Sequence, residues 1–400
     1  MKISFITPSY NNLEYLKLCH QSLLDNIDDI NWEHCIADDG SSDGTLEWLK
    51  SLNDNTIKFI RKEKRIGHTE LYNELVNNVS TGNIIFIFHA DMFLASKNSI
   101  SNMLKHLKEK TIVSATRVEC NGMYPASPEK ILIDFGSLTI DGINLSYIKD
   151  MVKKSENEGS NKSPIKSIFA PWMCYKKDYL PMDLLYSPYP HEDEDVFLRF
   201  RLNEYDIIQP LDACIPHFCS RGHRKTDKND PTKDNDTYAF YENKARRNYI
   251  RKWQSWIQFE EYQRPKIPKI FNVGFSIKNC LNINLLYSLE PWCSSIYIED
   301  DKIIKNYIEK EQPQTAFNLF KRIKNYNSSK NNDIIIDFDA SLLNTNNIQY
   351  LTQLSNILSD SGELGKMSLD IFNFEIKKLQ TYESQLINLN TSYYQNQLIH

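Results

Sequence analysis

The sequence is poor in glycine, lacks a paired cysteine motif and contains no long apolar run. Its 12 glycines in 400 residues amount to about 3 percent, under half of the roughly 7 percent usual in soluble proteins, so each glycine in a predicted loop is informative. The eight cysteines are scattered, which favours reduced thiols over a disulfide framework. No apolar run approaches the ~20 residues of a membrane span, and the first residues lack a signal-peptide layout. We therefore expect a cytoplasmic protein without a membrane span.

An excess of charge of one sign is also absent. The net charge is -5 and no basic block or stripe occurs, so nucleic acid is not an expected partner. The length exceeds what one hydrophobic core usually supports, which predicts two domains. The segment Arg264-Pro265-Lys266-Ile267-Pro268 is typical of a linker. We expect domains at residues 1–264 and 265–400.

Strand-like and helix-like segments alternate along the first ninety residues. The predicted strands are 3–7, 32–37, 57–60 and 84–88. The predicted helices are 14–24, 45–52 and 70–79. The last strand is almost wholly apolar, which suits a strand covered on both faces by helices and predicts a largely parallel, nucleotide-binding α/β sheet. Ligands of such sheets bind beyond the carboxyl ends of the strands.

Five motifs follow these strands or begin helices in a fixed order. They are Thr7-Pro8-Ser9-Tyr10-Asn11, Asp38-Asp39-Gly40-Ser41-Ser42-Asp43-Gly44-Thr45, Arg65-Ile66-Gly67-His68, His89-Ala90-Asp91, and Glu192-Asp193-Glu194-Asp195 with Arg199. In this order and spacing they resemble the motifs of family 2 glycosyltransferases of the GT-A fold. The resemblance implies a Rossmann-like mixed sheet flanked by helices. It also implies an inverting enzyme that moves a sugar from a nucleotide-diphosphate donor to a hydroxyl of a glycan, a lipid-linked sugar or a protein.

The resemblance assigns the nucleotide-sugar donor to the strand ends. The implied donor-binding residues are Thr7, Pro8, Tyr10, Asp39, Arg65, His89, Asp91 and Arg221. Among them Pro8, Tyr10 and Asp39 would hold the base and ribose, and Arg221 would neutralise the leaving diphosphate. From the residues alone, segment 38–45 also suits an Asx-type turn before a helix cap, and segment 221–225 suits a solvated basic loop.

The metal motif departs from the family pattern. The family carries Asp-any-Asp, and here His89 takes the first position. Asp91 matches the second acid and could bind Mg²⁺ or Mn²⁺, while His217 matches a histidine that completes the metal shell in many relatives. An imidazole at position 89 could contact the sugar diphosphate, join the shell through water, favour Mn²⁺, or cap the strand end. A zinc site of Cys214, His217, Cys219 and His223 fits no common spacing.

Asp193 is the predicted general base. The resemblance implies that it faces the anomeric carbon from the acceptor side, where a carboxylate can remove the hydroxyl proton. Acids also gather at helix N-termini, and we assign Asp195 with Arg199 to a structural i,i+4 ion pair. Glu192 and Trp172 are assigned to acceptor binding. Trp172 could stack on a sugar face or be buried in the core.

Residues 265–400 alternate again and predict a second, smaller α/β domain. The predicted strands are 270–275, 295–298 and 333–338. The predicted helices are 301–309 and 347–359. This region faintly resembles a class I methyltransferase-like domain, but its first strand is accompanied by Gly274 alone instead of a glycine-rich turn. We expect it to dock the acceptor or to mediate self-association.

Two functions stay open. One is the inverting glycosyltransferase. The other is a catalytically inactive relative, marked by His89, that binds a sugar nucleotide or a glycan without transfer.

Overall fold

The computed structural model describes residues 1–137, 139–219, 234–387 and 394–395. The predicted diphosphate contact Arg221, and His223 of the zinc set, lie outside the described residues. The chain forms two compact units, Met1–Glu242 with Phe259–Pro265, and Asn243–Gln258 with Lys266–His400. Within the described ranges, no helix combines the length and apolar character needed to cross a membrane.

The first unit contains two sheets. Its strands are β1 (Lys2–Ser9), β2 (Asn31–Asp38), β3 (Ile57–Arg61), β4 (Ile84–Ile87), β5 (Thr111–Ser114), β6 (Thr116–Cys120), β7 (Lys130–Ile133), β8 (Trp172–Tyr175), β9 (Asp206–Ile208) and β10 (Cys214–His217). The 7-stranded sheet has the order β3-β2-β1-β4-β8-β5-β9, and the 3-stranded sheet has the order β10-β6-β7. Strands β3, β2, β1 and β4 are parallel, and β8 is antiparallel to both of its neighbours. The predicted mixed α/β sheet is confirmed.

Helices connect the strands of the first unit. They are α1 (Leu13–Asn26), α2 (Thr45–Ser51), α3 (His68–Glu74), which continues as a π-helical turn (Leu75–Val79), α4 (Asn98–Leu104), α5 (Leu145–Gly159) and α6 (Glu192–Leu202). A further helix, α7 (Asp236–Trp253), belongs to the first unit up to Glu242 and to the second unit from Asn243. Every residue of β4 is buried, which explains its unbroken apolar sequence. The sequence spacing predicts one apolar face of Leu16, Cys19, Leu23 and Leu24 for helix α1. The structure buries the first three and leaves Leu24 exposed.

The second unit is a smaller α/β sheet structure. Its strands and further helices are β11 (Val273–Lys278), β12 (Ser295–Ile298), β13 (Ile323–Asn325), β14 (Ile334–Asp339), β15 (Gly365–Leu369), β16 (Phe372–Ile376), α8 (Ile283–Leu289), α9 (Asp301–Glu311), α10 (Leu319–Arg322), α11 (Ile348–Thr352) and α12 (Leu354–Ser361). The sheet order is β13-β12-β11-β14-β16-β15. The first four strands are parallel, and the last two form an antiparallel hairpin against β14.

Candidate active site

The two adjacent aspartates at the end of β2 have different partners: Asp38 binds the turn that follows it, and Asp39 binds the loop before α3. Asp38 accepts a hydrogen bond from the Ser41 backbone N–H (2.9 Å) and pairs with Arg61. Asp39 accepts from the backbone N–H groups of Ile66 (2.8 Å) and Gly67 (2.9 Å). Burial raises the pKa of Asp39, although these hydrogen bonds oppose the shift. Each Asp39 oxygen keeps a second lone pair that a ligand hydroxyl can use.

Arg65 lies between two tyrosine rings beside Asp39. Its guanidinium carbon is 4.2 Å from the ring centroid of Tyr10 and 4.8 Å from that of Tyr189. Its Nε atom is 3.9 Å from an oxygen of Asp39. Stacking on two aromatic faces fixes the guanidinium plane. The structure therefore brings three of the predicted donor-binding residues together at the carboxyl end of β1 and β2.

Thr7 and Pro8 lie at the same strand end but differ in accessibility. The Thr7 side chain is buried, donates to the carbonyl oxygen of Phe88 (2.7 Å), and is 2.9 Å from Nε2 of His34. Pro8 is half-buried. Because the Thr7 hydroxyl is engaged inside the protein, only its backbone is available to a donor.

Three side chains with metal-ligating atoms meet at the end of β4. His89, Asp91 and His217 each offer one ligand atom, and these atoms lie within 4.8 Å of one another. Nε2 of His217 is 3.5 Å from Oδ1 of Asp91. The Phe218 backbone N–H donates to the carbonyl of Asp91 (3.0 Å), and Met92 forms a β-bridge with His217. This pairing of backbone segments holds the distant His217 beside the end of β4.

The two imidazoles of this cluster differ in protonation. Burial and the neighbouring His217 lower the pKa of His89 to about 4, so its ring is neutral near pH 7 and can offer a nitrogen lone pair. Burial opposes a charge on His217, but Cys219 and Asp91 outweigh it and raise its pKa well above the ordinary value. Without a cation, Asp91 and His217 form an ion pair.

Glu119 on β6 is a partner of His217 that the sequence did not reveal. Its Oε1 is 3.5 Å from Nδ1 of His217 and accepts from Arg117 (2.8 Å). Burial opposes its charge, but His217 and Arg117 lower the pKa of Glu119 to about 2. A carboxylate on the second ring nitrogen orients an imidazole whose other nitrogen faces a ligand. Cys219 also approaches Nδ1 of His217 (3.4 Å).

The predicted base segment begins helix α6. His191 precedes the helix in a left-handed conformation (φ 77). Glu192 is buried, and its Oε1 is 2.7 Å from Nε2 of His68. Within the described part of the chain, its Oε2 has no hydrogen-bond partner. Asp193 accepts from the Glu194 backbone N–H (2.9 Å), and burial together with the charges of Glu194 and Glu192 raises its pKa well above the ordinary value.

Asp195 and Arg199 form the structural pair expected of them. Arg199 Nε donates to Asp195 (2.7 Å), and the Tyr186 hydroxyl donates to the other oxygen of Asp195 (3.1 Å). Both members of the ion pair are buried. Asp195 is thus fully engaged in holding the helix, unlike Asp193.

Tyr72 on α3 lies close to both acidic centres. Its side chain is 6% exposed. Burial raises its pKa well above the ordinary value, and the negative charges of Glu192, Asp193 and Asp91 each add to this shift. Distances point the same way, because Tyr72 lies between His68, which contacts Glu192, and His89, which clusters with Asp91.

A row of aromatic and imidazole rings joins these centres. The ring of His68 is 5.9 Å from that of Tyr72, which is 6.5 Å from that of His89. His89 in turn is 5.8 Å from His217. His68 closes the Arg65-Ile66-Gly67-His68 motif and begins α3, and Tyr72 lies one helical turn further along that helix. The sequence analysis gave His68 no role of its own and did not single out Tyr72.

Trp172 lies in the core and not in the cleft. Its side chain is 0% exposed, and its ring packs against Tyr179 (6.3 Å) and Phe200 (5.5 Å). A sugar cannot stack on a fully buried ring. This corrects the assignment of Trp172 to acceptor stacking in favour of the core alternative.

The sequence match to a known family covers the strand ends and loops that carry the first four motifs. The family model described as "Glycosyl transferase family 2" matches residues 4–169. That segment contains Tyr10, Asp39, Arg65, His89 and Asp91. The resemblance to family 2 glycosyltransferases, a family of enzymes, is confirmed over residues 4–169.

The sequence similarity to a curated relative covers only part of the chain. "Uncharacterized glycosyltransferase YfnE" of Bacillus subtilis (strain 168) is 36% identical over 115 residues, which are 28% of this chain and 29% of the relative. The chain thus spans less than a third of the length of the curated relative that it matches.

Solved structures of glycosyltransferases are distantly similar. Staphylococcus aureus TarS 1-349 in complex with UDP-GlcNAc has a TM-score of 0.38 at 15% identity, covering 62% of this chain and 67% of that chain. The mannosyltransferase PcManGT from Pyrobaculum calidifontis, in complex with GDP-Man and Mn²⁺, has 0.39 at 15%, covering 62% of each chain. GalNAc-T7 with UDP, GalNAc and Mn²⁺ has 0.44 at 13%, covering 66% and 49%. Likeness at this level assigns no residue a role.

Proposed function

We propose that the chain is an inverting glycosyltransferase that moves a sugar from a nucleotide-diphosphate donor to an acceptor hydroxyl. The family match supports the reaction class. The observation that carries the proposal is the proximity of the two acidic segments. Glu192 is 2.7 Å from His68, and the ring of Tyr72 lies 5.9 Å from that of His68 and 6.5 Å from that of His89, which clusters with Asp91. Two neighbouring acidic centres suit the two ends of a single displacement, because one stabilises the leaving group and the other receives the acceptor proton.

The donor nucleoside is assigned to the cluster of Tyr10, Asp39 and Arg65. Asp39 has an unused lone pair on each oxygen for ribose hydroxyls. Tyr10 offers an aromatic ring beside it, and Arg65 stacks on that ring at 4.2 Å. The Arg65 guanidinium thereby places a fixed positive charge near the phosphates of a bound donor.

A divalent cation is assigned to His89, Asp91 and His217. The ligand atoms lie within 4.8 Å of one another, and the donor set of two imidazole nitrogens and one carboxylate oxygen suits a transition metal better than Mg²⁺. Glu119 would fix the His217 ring for this role. When bound, the ion would neutralise the charge that develops on the leaving diphosphate. Mn²⁺ is therefore the proposed cofactor, with Mg²⁺ as the weaker candidate.

Asp193 is proposed as the base that completes the transfer. The acceptor oxygen forms a bond to the anomeric carbon, the bond from that carbon to the diphosphate oxygen breaks, and the nucleotide diphosphate keeps the electron pair. The hydroxyl proton passes to Asp193. Its raised pKa makes the carboxylate a stronger proton acceptor once it is ionised, so activity rises with pH through that pKa. One displacement on the face opposite the leaving group inverts the anomeric centre.

The test is release of nucleotide diphosphate from UDP-, dTDP- and GDP-sugars, with Mn²⁺, with Mg²⁺ and with chelator. The proposal expects release from at least one donor, strongest with Mn²⁺ and lost with chelator. Binding of a donor in a thermal-shift measurement without release under any condition would instead identify the inactive binding module.

A further inference from the structure

Four aromatic side chains form a continuous chain of ring contacts next to the base segment. We call the set the aromatic platform; its members are Tyr189, Tyr238, Phe240 and Tyr241. The ring of Tyr189 is stacked on that of Tyr238 at 5.7 Å and meets that of Tyr241 at 5.3 Å. Phe240 contacts Tyr241 at 5.2 Å. The platform thus joins the loop before α6 to the first turns of α7.

The platform is anchored at the catalytic end of the first unit. Tyr189 also stacks on His68, the partner of Glu192, at 5.6 Å. On the other side, Nε2 of His191 is 3.7 Å from Oε1 of Glu242. The platform therefore begins within three residues of Glu192 and extends away from the donor cluster along α7.

Exposure along the platform increases away from the site. Tyr189 and Tyr238 are buried, Tyr241 is half-buried, and Phe240 is 54% exposed. Single exposed hydrophobic side chains are common, but the Phe240 ring differs in being supported by Tyr241, which rests on the buried Tyr189. Its position at the outer end of a supported aromatic stack is the arrangement of a binding surface.

The polar rim defines the kind of ligand. Asp236 lies one helical turn before Phe240 on α7, and Glu242 and Glu194 flank the His191 side of the platform. Carboxylates accept hydrogen bonds from hydroxyls and repel phosphates and other anions. An apolar ring face edged by hydroxyl acceptors suits a pyranose, which presents C–H groups on its face and hydroxyls at its edge.

We propose that Phe240 binds a pyranose unit of the acceptor, adjoining the unit that receives the transferred sugar, and that the acceptor is a neutral oligosaccharide. This inference rests on the proposed function for the location of the acceptor. It replaces Trp172 as the stacking residue with an aromatic ring that a sugar can reach.

The test is binding of the full chain to an array of defined neutral oligosaccharides, compared among wild type, F240A, F240W and F320A. Phe320 is the matched control, because it is 71% exposed and lies on α10 of the second unit. We expect wild type, F240W and F320A to bind the same oligosaccharide, and F240A to bind it about tenfold more weakly. Once that oligosaccharide serves as acceptor, F240A should raise KM more than it lowers kcat.

Three outcomes would overturn the inference. They are an array on which wild type retains no neutral oligosaccharide, equal binding by F240A and wild type, and retention of phosphorylated or lipid-bearing glycans alone. Nucleotide diphosphate release from the donor is measured separately. If the proposed function is wrong, no nucleotide diphosphate is released. If only the platform inference is wrong, nucleotide diphosphate is released but F240A binds glycans as well as wild type does.

Discussion

Each of the two units carries an acidic residue at the carboxyl end of a parallel strand, yet the environments of these two acids are opposite. Asp39 follows β2 of the first sheet, is buried, and has a pKa raised by that burial. Asp339 ends β14 of the second sheet, caps a turn by accepting from Ser341, and has a pKa lowered by those hydrogen bonds. The carboxyl end of a parallel strand can therefore hold either a candidate site or a structural turn. What marks the candidate site is a buried carboxylate whose hydrogen bonds do not offset the cost of burying its charge.

The second unit uses its buried charges for structure. Arg251 donates to Glu290 (2.9 Å) and Glu311 (2.8 Å), and Arg322 donates to Glu290 (2.5 Å). Nearby charges and hydrogen bonds from both arginines overcome burial and lower the pKa of Glu290 to about 2. This network commits these four side chains to one another inside the protein.

Gly274 illustrates the same difference. A Cβ atom at this position would lie 2.5 Å from the side chain of Asn332, which receives a hydrogen bond from Tyr297 (2.8 Å). The missing side chain makes room for this internal contact. The faint methyltransferase-like resemblance of the second unit accordingly gains no support from its glycine and stays a prediction.

The largest expected effect separates Asp193 from Asp339. Asp193→Asn removes the proton acceptor and should reduce sugar transfer by about a hundredfold or more, while nucleotide affinity stays within a fewfold. Asp339→Asn keeps a capping side chain and should leave transfer unchanged. Initial rates and donor titrations of both variants check this. Normal turnover in Asp193→Asn would remove the residue from the mechanism.

A second contrast concerns two glycines with positive φ. Gly67 has φ +92, and a Cβ atom would lie 2.2 Å from Pro188, whereas Gly362 has φ +61 with nothing within 4 Å. Gly67→Ala should destabilise by roughly 3 kcal/mol or more and raise the donor KM, because the loop that presents its N–H to Asp39 must move. Gly362→Ala should cost about 1 kcal/mol. Urea unfolding measures both, and equal costs would show that the Gly67 loop is not held as described.

A smaller effect is expected at the metal cluster. His89→Asp replaces a nitrogen ligand with an oxygen and restores the Asp-any-Asp pattern, so the ratio of activity with Mn²⁺ to activity with Mg²⁺ should fall several-fold. Rates measured with each ion at saturation test this. An unchanged ratio would place His89 outside the metal shell.

The smallest expected effect is on how the stability of each unit depends on pH, through the titratable groups buried in its core. Burial lowers the pKa of His20 and of His34, whose Nδ1 atoms are 3.1 Å apart, so both are neutral when folded and bind protons when unfolded. The first unit should therefore lose on the order of 1 kcal/mol as pH falls through ~6.5. Glu290, with its pKa lowered to about 2, contributes stability that is present above the unfolded carboxyl pKa of ~4.3 and is lost below it.

Hydrogen exchange of each unit between pH 8 and pH 5 distinguishes these cases. After correction for the intrinsic exchange rate, the first unit should lose protection before the second. Loss of protection in the second unit at the higher pH would contradict the assignment of the histidine pair.

The sequence predicted the elements whose pattern is local. The apolar run of β4 and the helical spacing in α1 place both elements within a few residues of their observed bounds. Strand β6 was missed because it buries Arg117 and Glu119 as an ion pair. In a sequence pattern, charged residues predict an exposed segment whether or not they are buried in the fold. Helix α5 was also not predicted, because its core-facing stripe of Ile148 and Val152 is sparse.

The site was predictable where motifs carry it. Asp91 and His217 lie 3.5 Å apart although more than one hundred residues separate them, and the motif resemblance was the sequence signal that placed them together. Glu119 and Tyr72 act through spatial proximity that no spacing reveals. Trp172 was misplaced because an aromatic residue before a predicted site has the same sequence signature in a core as in a cleft.

A crystal structure with Mn²⁺ and a non-hydrolysable UDP-, dTDP- or GDP-sugar tests most directly whether the two acidic centres act on one bond. We expect the anomalous signal of manganese at coordination distance, about 2.2 Å, from Asp91 and His217, with the Asp193 carboxylate on the face of the anomeric carbon opposite the diphosphate. Manganese bound elsewhere, or Asp193 turned away from that carbon, would contradict the mechanism.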